Sequence, residues 1–306
     1  MNTLLRALAT IAVLVLIPAA VPAQSRTSGK THVRKIFVRV VNAEGVPIAG
    51  LSAADFTATE GGEVRAVSHV GSADLPMRIA LMLDTSEGTA PALTHMRAAV
   101  VAFFDALGPE DEVVLITTGR QVRVRVPPTT DRQKLKDMAA GLFNDGGGTV
   151  LMDGLLEIDD RFFKKVENRW PVFVIFTSDG TETSGGGREN EFMKWALAVG
   201  PRGITAHSLV LKTPQGRGLP ETSGMPQIVA ENVAQNTGGE YEVMNTTAIL
   251  ADKMKGLGQT LARAHRNMNG WYAVDIQTTA SEARPVDLVV ARPGAFLQVS
   301  DRRRGQ

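Results

Sequence analysis

Short apolar runs alternate with amphipathic segments through the middle of the chain. Residues 79–83 and 172–176 are almost unbroken apolar runs, as expected for strands buried on both faces of a parallel sheet. Between such runs, segments such as 91–107 carry apolar residues at helical spacing. The repeated strand–helix order predicts an α/β fold, a doubly wound and mostly parallel sheet with helices on both faces.

Other stretches of this central region give more specific predictions. Residues 122–126 alternate arginine with valine, which indicates an edge strand with one solvated face, and Pro127–Pro128 is predicted to end it. A helix is predicted over 150–166, with Asp159 on a solvated face or end. His207 lies inside an apolar strand and is predicted to be a hydrogen-bonded core residue.

Both ends of the chain carry strand-like patterns outside this region. Residues 33–75 read as a small β unit, and 267–301 contain two or three further strands. Neither segment has enough strands to bury a face alone. We therefore expect the two to pair as one accessory β unit, flanking a central domain at 76–266.

The first residues resemble a targeting segment. Residues 1–23 have a positive start, an apolar core and small residues at the end, typical of a cleavable secretory signal peptide. A membrane anchor is the alternative, but the apolar run is short for a span of about 20 residues. Residues 24–32 read as a linker and 302–306 as a solvated tail, and no later segment is apolar enough to span a membrane.

Charge and cysteine content narrow the functional classes. The formal net charge of +1 gives no global field that would attract nucleic acid. The chain contains no cysteine, which excludes a cysteine nucleophile and thiolate zinc sites. An exported chain without cysteine fits a bacterial periplasm, or secretion from a bacterium, better than an animal extracellular space.

Polar residues follow both apolar strands. Asp84, Thr85 and Ser86 come directly after the first strand, and Asp179 ends the second. Thr149 follows a run of three glycines ahead of a helix. Ligands bind at the carboxyl ends of the strands in open α/β sheets, and hard oxygens there suit Mg²⁺ or a similar cation.

These three segments resemble the metal-ion-dependent adhesion site (MIDAS) of von Willebrand factor A-type domains. Residues 84–88 resemble the Asp-x-Ser-x-Ser opening of that site, and the later Thr149 and Asp179 match its other two parts. The resemblance covers 77–264 and implies a Rossmann-like fold. One departure is Gly88, which stands where the family has its second serine; water or Thr89 could supply the missing oxygen.

The resemblance also implies how the site would work. Ser86 and Thr149 would bind Mg²⁺ or Mn²⁺ directly, and Asp84 and Asp179 would hold it through water. The remaining coordination position would take a carboxylate from a partner, here another exported or envelope protein. With Gly88 in place of serine we expect weaker metal binding than at a complete site, and tighter binding in Gly88→Ser.

Three functions remain open at this point. The first is an adhesion- or scaffold-type protein-binding module without catalytic turnover. The second is a metal-dependent, phosphoesterase-like hydrolase, although no histidine pairs with a marked nucleophile and no P-loop ending follows the glycines. The third is a structural envelope protein with an inert site, in which Asp84 caps a turn and Thr149 caps a helix.

We expect Asp84, at the sheet edge, to lie outside the core.

Overall fold

The computed structural model describes residues 31–166, 168–213, 224–267, 270–279 and 284–299. The predicted signal peptide, the predicted tail and most of the predicted linker lie outside these residues. Within them, no helix is both long enough and apolar enough to cross a membrane.

The described residues form thirteen strands, which are named here in chain order. They are β1 His32–Val41, β2 Phe56–Glu60, β3 Glu63–Arg65, β4 Val67–Ser72, β5 Met77–Leu83, β6 Glu112–Thr118, β7 Val122–Thr129, β8 Trp170–Ser178, β9 Thr205–Leu211, β10 Tyr241–Met244, β11 Trp271–Thr278, β12 Val286–Val290 and β13 Phe296–Val299.

Six α-helices connect the strands in the described part of the chain. They are α1 Leu93–Ala106, α2 Arg132–Ala140, α3 Leu151–Ile158, α4 Arg188–Val199, α5 Met225–Thr237 and α6 Leu250–Asn267. Short 3-10 turns occupy Ala53–Asp55, Glu87–Ala92 and Gly200–Arg202, and one π-helical turn, Asp159–Phe163, continues α3.

The central sheet has six strands in the order β10-β9-β8-β5-β6-β7. All neighbours are parallel except β6 and β7, which are antiparallel. Strand β5 lies between β8 and β6, so Leu81 pairs with both Val174 and Leu115. Strand β7 confirms the predicted antiparallel edge strand. The prediction that Pro127–Pro128 ends this strand is wrong, because β7 continues to Thr129. Proline is tolerated in a strand at the edge of a sheet.

Helices cover both faces of this sheet. Alternate residues of β5 face opposite ways, so Leu81 packs in one core cluster with residues of α1, α2 and α6, while Met82 packs in another with residues of α3, α4 and α5. Every residue of β5 from Ile79 to Leu83 is fully buried. The doubly wound α/β prediction is therefore confirmed.

Strands from the two chain ends pair with each other. Strand β1 lies between β13 and β11 in a four-stranded sheet that also holds β4, and β12 pairs with β2 in a three-stranded sheet. Apolar side chains of both sheets, including Val38, Phe56 and Val274, form a third core cluster. The Phe37 ring lies 4.9 Å from the Trp170 ring of the central sheet.

The segment after the glycine-rich loop differs from its prediction. The predicted helix over 150–166 is α3 followed by the π-helical turn. The turn places Asp159 inside the protein, so the prediction that it is solvated is wrong. Its carboxylate is fully buried and accepts hydrogen bonds from both terminal nitrogens of Arg202, at 2.7 and 2.9 Å, and from the Trp195 indole at 2.9 Å.

Candidate functional site

Strand β5 delivers Asp84 to the carboxyl edge of the sheet. The side chain is fully buried, so the expectation that it lies outside the core is wrong. Its Oδ1 accepts the Ser86 backbone N–H at 2.8 Å, and its Oδ2 accepts the Thr177 hydroxyl at 2.9 Å and the Ser178 N–H at 3.3 Å. Asp84 therefore joins the ends of β5 and β8.

The turn after Asp84 is held by Thr89. The Thr89 hydroxyl donates to the backbone carbonyls of Asp84, at 2.7 Å, and Ser86, at 3.1 Å. Ser86 itself is almost fully buried and precedes the 3-10 turn. The Thr89 hydroxyl is therefore directed at the backbone of its own turn, and within the described residues it makes no hydrogen bond with the Asp84 carboxylate.

The glycine-rich loop is bonded to this turn along its length. The Asp145 N–H donates to the Thr85 carbonyl at 2.7 Å, and the Glu87 N–H donates to the Gly147 carbonyl at 3.0 Å. The Asp145 carboxylate accepts the Thr85 hydroxyl at 2.6 Å and pairs with Arg123 at 2.9 Å. Asp145 is thus a tether between the two loops rather than a solvated charge.

Thr149 reaches the same edge through a close backbone approach. Its N–H donates to the Thr181 carbonyl at 2.9 Å, and a Cβ on Gly148 would lie only 2.7 Å from that carbonyl oxygen. The Thr149 hydroxyl donates to the Thr118 carbonyl. Thr149 does not cap α3, whose N-cap residue is Val150.

Asp179 follows β8 but its side chain is bonded to the loop after β9. Its Oδ1 accepts the backbone N–H of Thr213 at 2.8 Å and the hydroxyl of Thr213 at 2.6 Å. The Lys212 ammonium lies 3.5 Å from its Oδ2. Of the four predicted metal residues, Asp84 and Ser86 are thus in direct contact, while Thr149 and Asp179 lie on the two neighbouring loops and hydrogen-bond to Thr118 and Thr213, respectively.

A second buried carboxylate belongs to Glu182, which sequence reasoning missed. Its side chain accepts the Leu151 N–H at the start of α3, at 3.2 Å, and the Ser184 N–H at 2.9 Å. Burial raises the pKa of Glu182 to about 7, and the charge of Asp84 adds to the rise, whereas bonds from Ser184 and Leu151 oppose it. Its position three residues after Asp179 is the sequence feature that could have indicated an acid near the site.

Asp84 and Glu182 together make this edge electronegative. Burial raises the pKa of Asp84 above its ordinary value, and hydrogen bonds from Ser86, Thr177 and Ser178 oppose the rise. Within the described ranges, neither carboxylate forms an ion pair with a lysine or arginine, and Asp84 contributes to the raised pKa of Glu182. Two buried acids without a cationic partner suit a bound cation, because burying an unpaired charge is costly.

The donor set indicates which cation fits. Asp84, Ser86 and Thr149 offer carboxylate and hydroxyl oxygens, the ligands of Mg²⁺ and Mn²⁺. No group of three or more His, Cys, Asp or Glu side chains that could hold a metal occurs among the residues with described positions. Metal binding here would therefore depend on hydroxyl groups as well as carboxylates.

Comparison with known sequences relates part of the chain to a known family. Residues 79–182 match the von Willebrand factor type A domain family, and this range contains Asp84, Ser86, Thr149, Asp179 and Glu182. The curated proteins give no match to the chain.

A solved structure shows the same fold. A von Willebrand factor type A protein from Catenulispora acidiphila aligns with a TM-score of 0.50 and 14% identity, over 78% of this chain and 51% of that chain. This chain thus spans about half of that protein's length, and at this identity the likeness concerns the fold alone.

Two further structures resemble part of the chain. The conserved hypothetical protein BatB from Bacteroides thetaiotaomicron aligns with a TM-score of 0.49 and 17% identity, over 62% of this chain and 99% of that one. Proximal thread matrix protein 1 from the mussel byssus, in a structure with a zinc-occupied MIDAS motif, aligns with a TM-score of 0.46 and 15% identity, over 62% of this chain and 49% of that one.

Proposed function

Because residues 79–182 match the von Willebrand factor type A domain family, we propose that the chain is an exported protein-binding module that uses a divalent metal and performs no catalytic turnover. The metal, Mg²⁺ or Mn²⁺, would sit at the carboxyl edge of the central sheet. The observation that carries this proposal is the pair of buried acids, Asp84 and Glu182, with no cationic partner in the described residues.

The residues of the site have separate tasks in this proposal. The Ser86 and Thr149 hydroxyls would bind the metal, and Asp84 would balance its charge while its hydrogen bonds fix the ends of β5 and β8. Asp179 is bonded to Thr213 and would act from the rim, through water. A hard cation with few anionic ligands supplies an open position for an external carboxylate.

The partner would be another exported or envelope protein that presents an acidic side chain. This follows from the chemistry of the open position and from the signal-peptide pattern of residues 1–23. Export, and hence a periplasmic or secreted location, is part of the proposal.

A binding role is favoured over catalysis by how two candidate polar groups, Thr89 and His207, are used. The Thr89 hydroxyl donates to backbone carbonyls, and His207 accepts the Glu240 N–H at 3.2 Å within the sheet. General acid–base catalysis requires a group positioned on the substrate. These groups instead hold the protein together.

A pull-down from the cell envelope of the source organism tests the proposal. The full chain is the bait, in Mg²⁺ and then in EDTA, beside Ser86→Ala and the control Ser68→Ala, an exposed serine on β4. We expect a partner that is retained by wild type and by Ser68→Ala in Mg²⁺, and lost in EDTA and with Ser86→Ala. A partner retained equally in all four conditions would contradict a metal-dependent binding site.

A further inference from the structure

We propose that Ser178, at the end of β8, supplies the metal-binding hydroxyl that Gly88 lacks. This inference rests on the proposed function, since it concerns the same metal site. It changes the ligand set implied by the sequence resemblance, in which water or Thr89 would replace the missing second hydroxyl of the first loop.

The first observation is that Ser178 and a side chain at position 88 would compete for the same space. A Cβ built on Gly88 would lie 2.4 Å from the Ser178 Oγ and 3.3 Å from the Ser178 Cβ. The backbone of Gly88 does not have a positive φ, so its conformation would accept another residue. The space needed by a serine at position 88 is therefore already filled by the hydroxyl of Ser178.

The second observation is where that hydroxyl points. Ser178 is fully buried, and its Oγ lies 3.4 Å from Oδ2 of Asp84 and accepts the Gly180 N–H at 3.2 Å. The Asp84 carboxylate also accepts the Ser86 N–H. The Ser178 hydroxyl thus faces the carboxylate at the centre of the site, from β8 instead of from the loop after β5.

A hydroxyl supplied by Ser178 instead of by residue 88 gives the metal the same kind of ligand. A serine hydroxyl is a neutral oxygen ligand whichever strand carries it, so the count of protein oxygens is restored without added charge. Ser178 is favoured over Thr89 for this contribution, because the Thr89 hydroxyl is directed at two backbone carbonyls of its own turn, whereas the Ser178 hydroxyl donates to the Asp84 carboxylate. Under this proposal, unlike the expectation from the sequence resemblance, Gly88 does not weaken metal binding and Gly88→Ser does not tighten it.

Moving the hydroxyl between the two positions tests the inference. Mn²⁺ is titrated calorimetrically into the full chain as wild type, Ser178→Ala, Gly88→Ser and two double variants, Gly88→Ser/Ser178→Ala and Gly88→Ala/Ser178→Ala. We expect Ser178→Ala to weaken Mn²⁺ binding at least about tenfold, as loss of a metal-site residue does. Gly88→Ser should also weaken it, because the new side chain displaces the Ser178 hydroxyl.

The double variants separate the hydroxyl from the space it fills. Gly88→Ser/Ser178→Ala returns one hydroxyl to the site and should recover most of the lost affinity, whereas Gly88→Ala/Ser178→Ala has the same shape without it and should stay weak. A metal-free readout accompanies them: in EDTA, Gly88→Ala should lower the melting temperature and Gly88→Ala/Ser178→Gly should recover it, since glycine at 178 removes the collision.

The outcomes distinguish this inference from the proposed function. If wild type binds Mn²⁺ and Ser178→Ala binds it equally tightly, the inference is refuted and the metal site stands. If wild type gives no heat at millimolar Mn²⁺, the proposed metal site is refuted and the inference falls with it. If Gly88→Ala melts like wild type in EDTA, the shared space on which the inference depends does not exist.

Discussion

Asp84→Ala should destabilise the fold as well as abolish metal binding. The carboxylate is the buried acceptor for two backbone amides, those of Ser86 and Ser178, and for the Thr177 hydroxyl. Alanine leaves the two amides without their acceptor. A buried donor without a partner costs about 1–3 kcal/mol, so the two amides together cost about 2–6 kcal/mol.

Two effects reduce that figure. The Thr177 hydroxyl can rotate to another acceptor, and removing a buried acid whose pKa is raised by desolvation relieves part of the cost of burying its charge. We therefore expect a net loss of roughly 3 kcal/mol in the free energy of unfolding, equivalent to a fall of about 6–12 °C in melting temperature for a domain of this size.

Urea unfolding followed by circular dichroism, in EDTA and in Mn²⁺, measures both parts. Mn²⁺ at ten times its Kd should stabilise wild type by about 1.4 kcal/mol and leave Asp84→Ala unchanged. Ser68→Ala is the control and should behave like wild type in both buffers. Equal stability of wild type and Asp84→Ala in EDTA would refute the role of Asp84 in the core, and equal stabilisation by Mn²⁺ would refute its role at the metal.

Three further predictions concern the surroundings of the site. Gly148→Ala places a Cβ 2.7 Å from the Thr181 carbonyl oxygen and should lower stability by about 1–3 kcal/mol and weaken Mn²⁺ binding; calorimetry and urea unfolding like those of wild type would contradict it. The pKa of Glu182 is raised from 4.5 to about 7. The stability that protonated Glu182 contributes to the folded protein is therefore fully present below pH 4.5 and is lost as the pH rises through 7. In EDTA, Glu182 should account for a loss of about 3 kcal/mol in wild-type stability between those limits. Urea unfolding of Glu182→Gln across that range should show a smaller loss than wild type; an equal loss in both would rule this out. Removing residues 270–306 should accelerate amide exchange throughout β1, because β11 and β13 pair with it; unchanged exchange would contradict that dependence.

The alternation of apolar and amphipathic segments was sufficient to predict the central sheet. The apolar run before Asp84 predicts a strand buried on both faces, and β5 lies in the middle of the sheet with neighbours on both sides. Because parallel strands end at one edge, the polar residues after β5 and β8 were predicted to meet there, and Asp84 bonds the end of β8.

The contacts around the site could not be predicted in the same way. That Ser178 fills the space beside Gly88 depends on the distance between two loops, which no spacing along the chain encodes. Burial of Asp159 depends on a π-helical turn and on Arg202, 43 residues away. Glu182 looks like an ordinary loop acid until its packing against the start of α3 is known.

For the same reason, the sequence predicts the position of Asp179 in the sheet but not its hydrogen-bond partners. Its place after a strand predicted the edge on which it lies, but its hydrogen bonds to Thr213 depend on the course of the loop after β9. The sequence motif thus predicted the edge of the sheet on which these residues lie, and tertiary contacts decide which oxygens face one another there.

The most direct test of the account is an anomalous difference map from crystals of the full chain grown in Mn²⁺. The account predicts one Mn²⁺ at the carboxyl edge of the central sheet, bound by the hydroxyls of Ser86, Thr149 and Ser178 with Asp84 close by, and no such peak in crystals of Asp84→Ala. A map without a peak at that edge, or with manganese bound only elsewhere, would contradict the central claim that this edge is a divalent metal site.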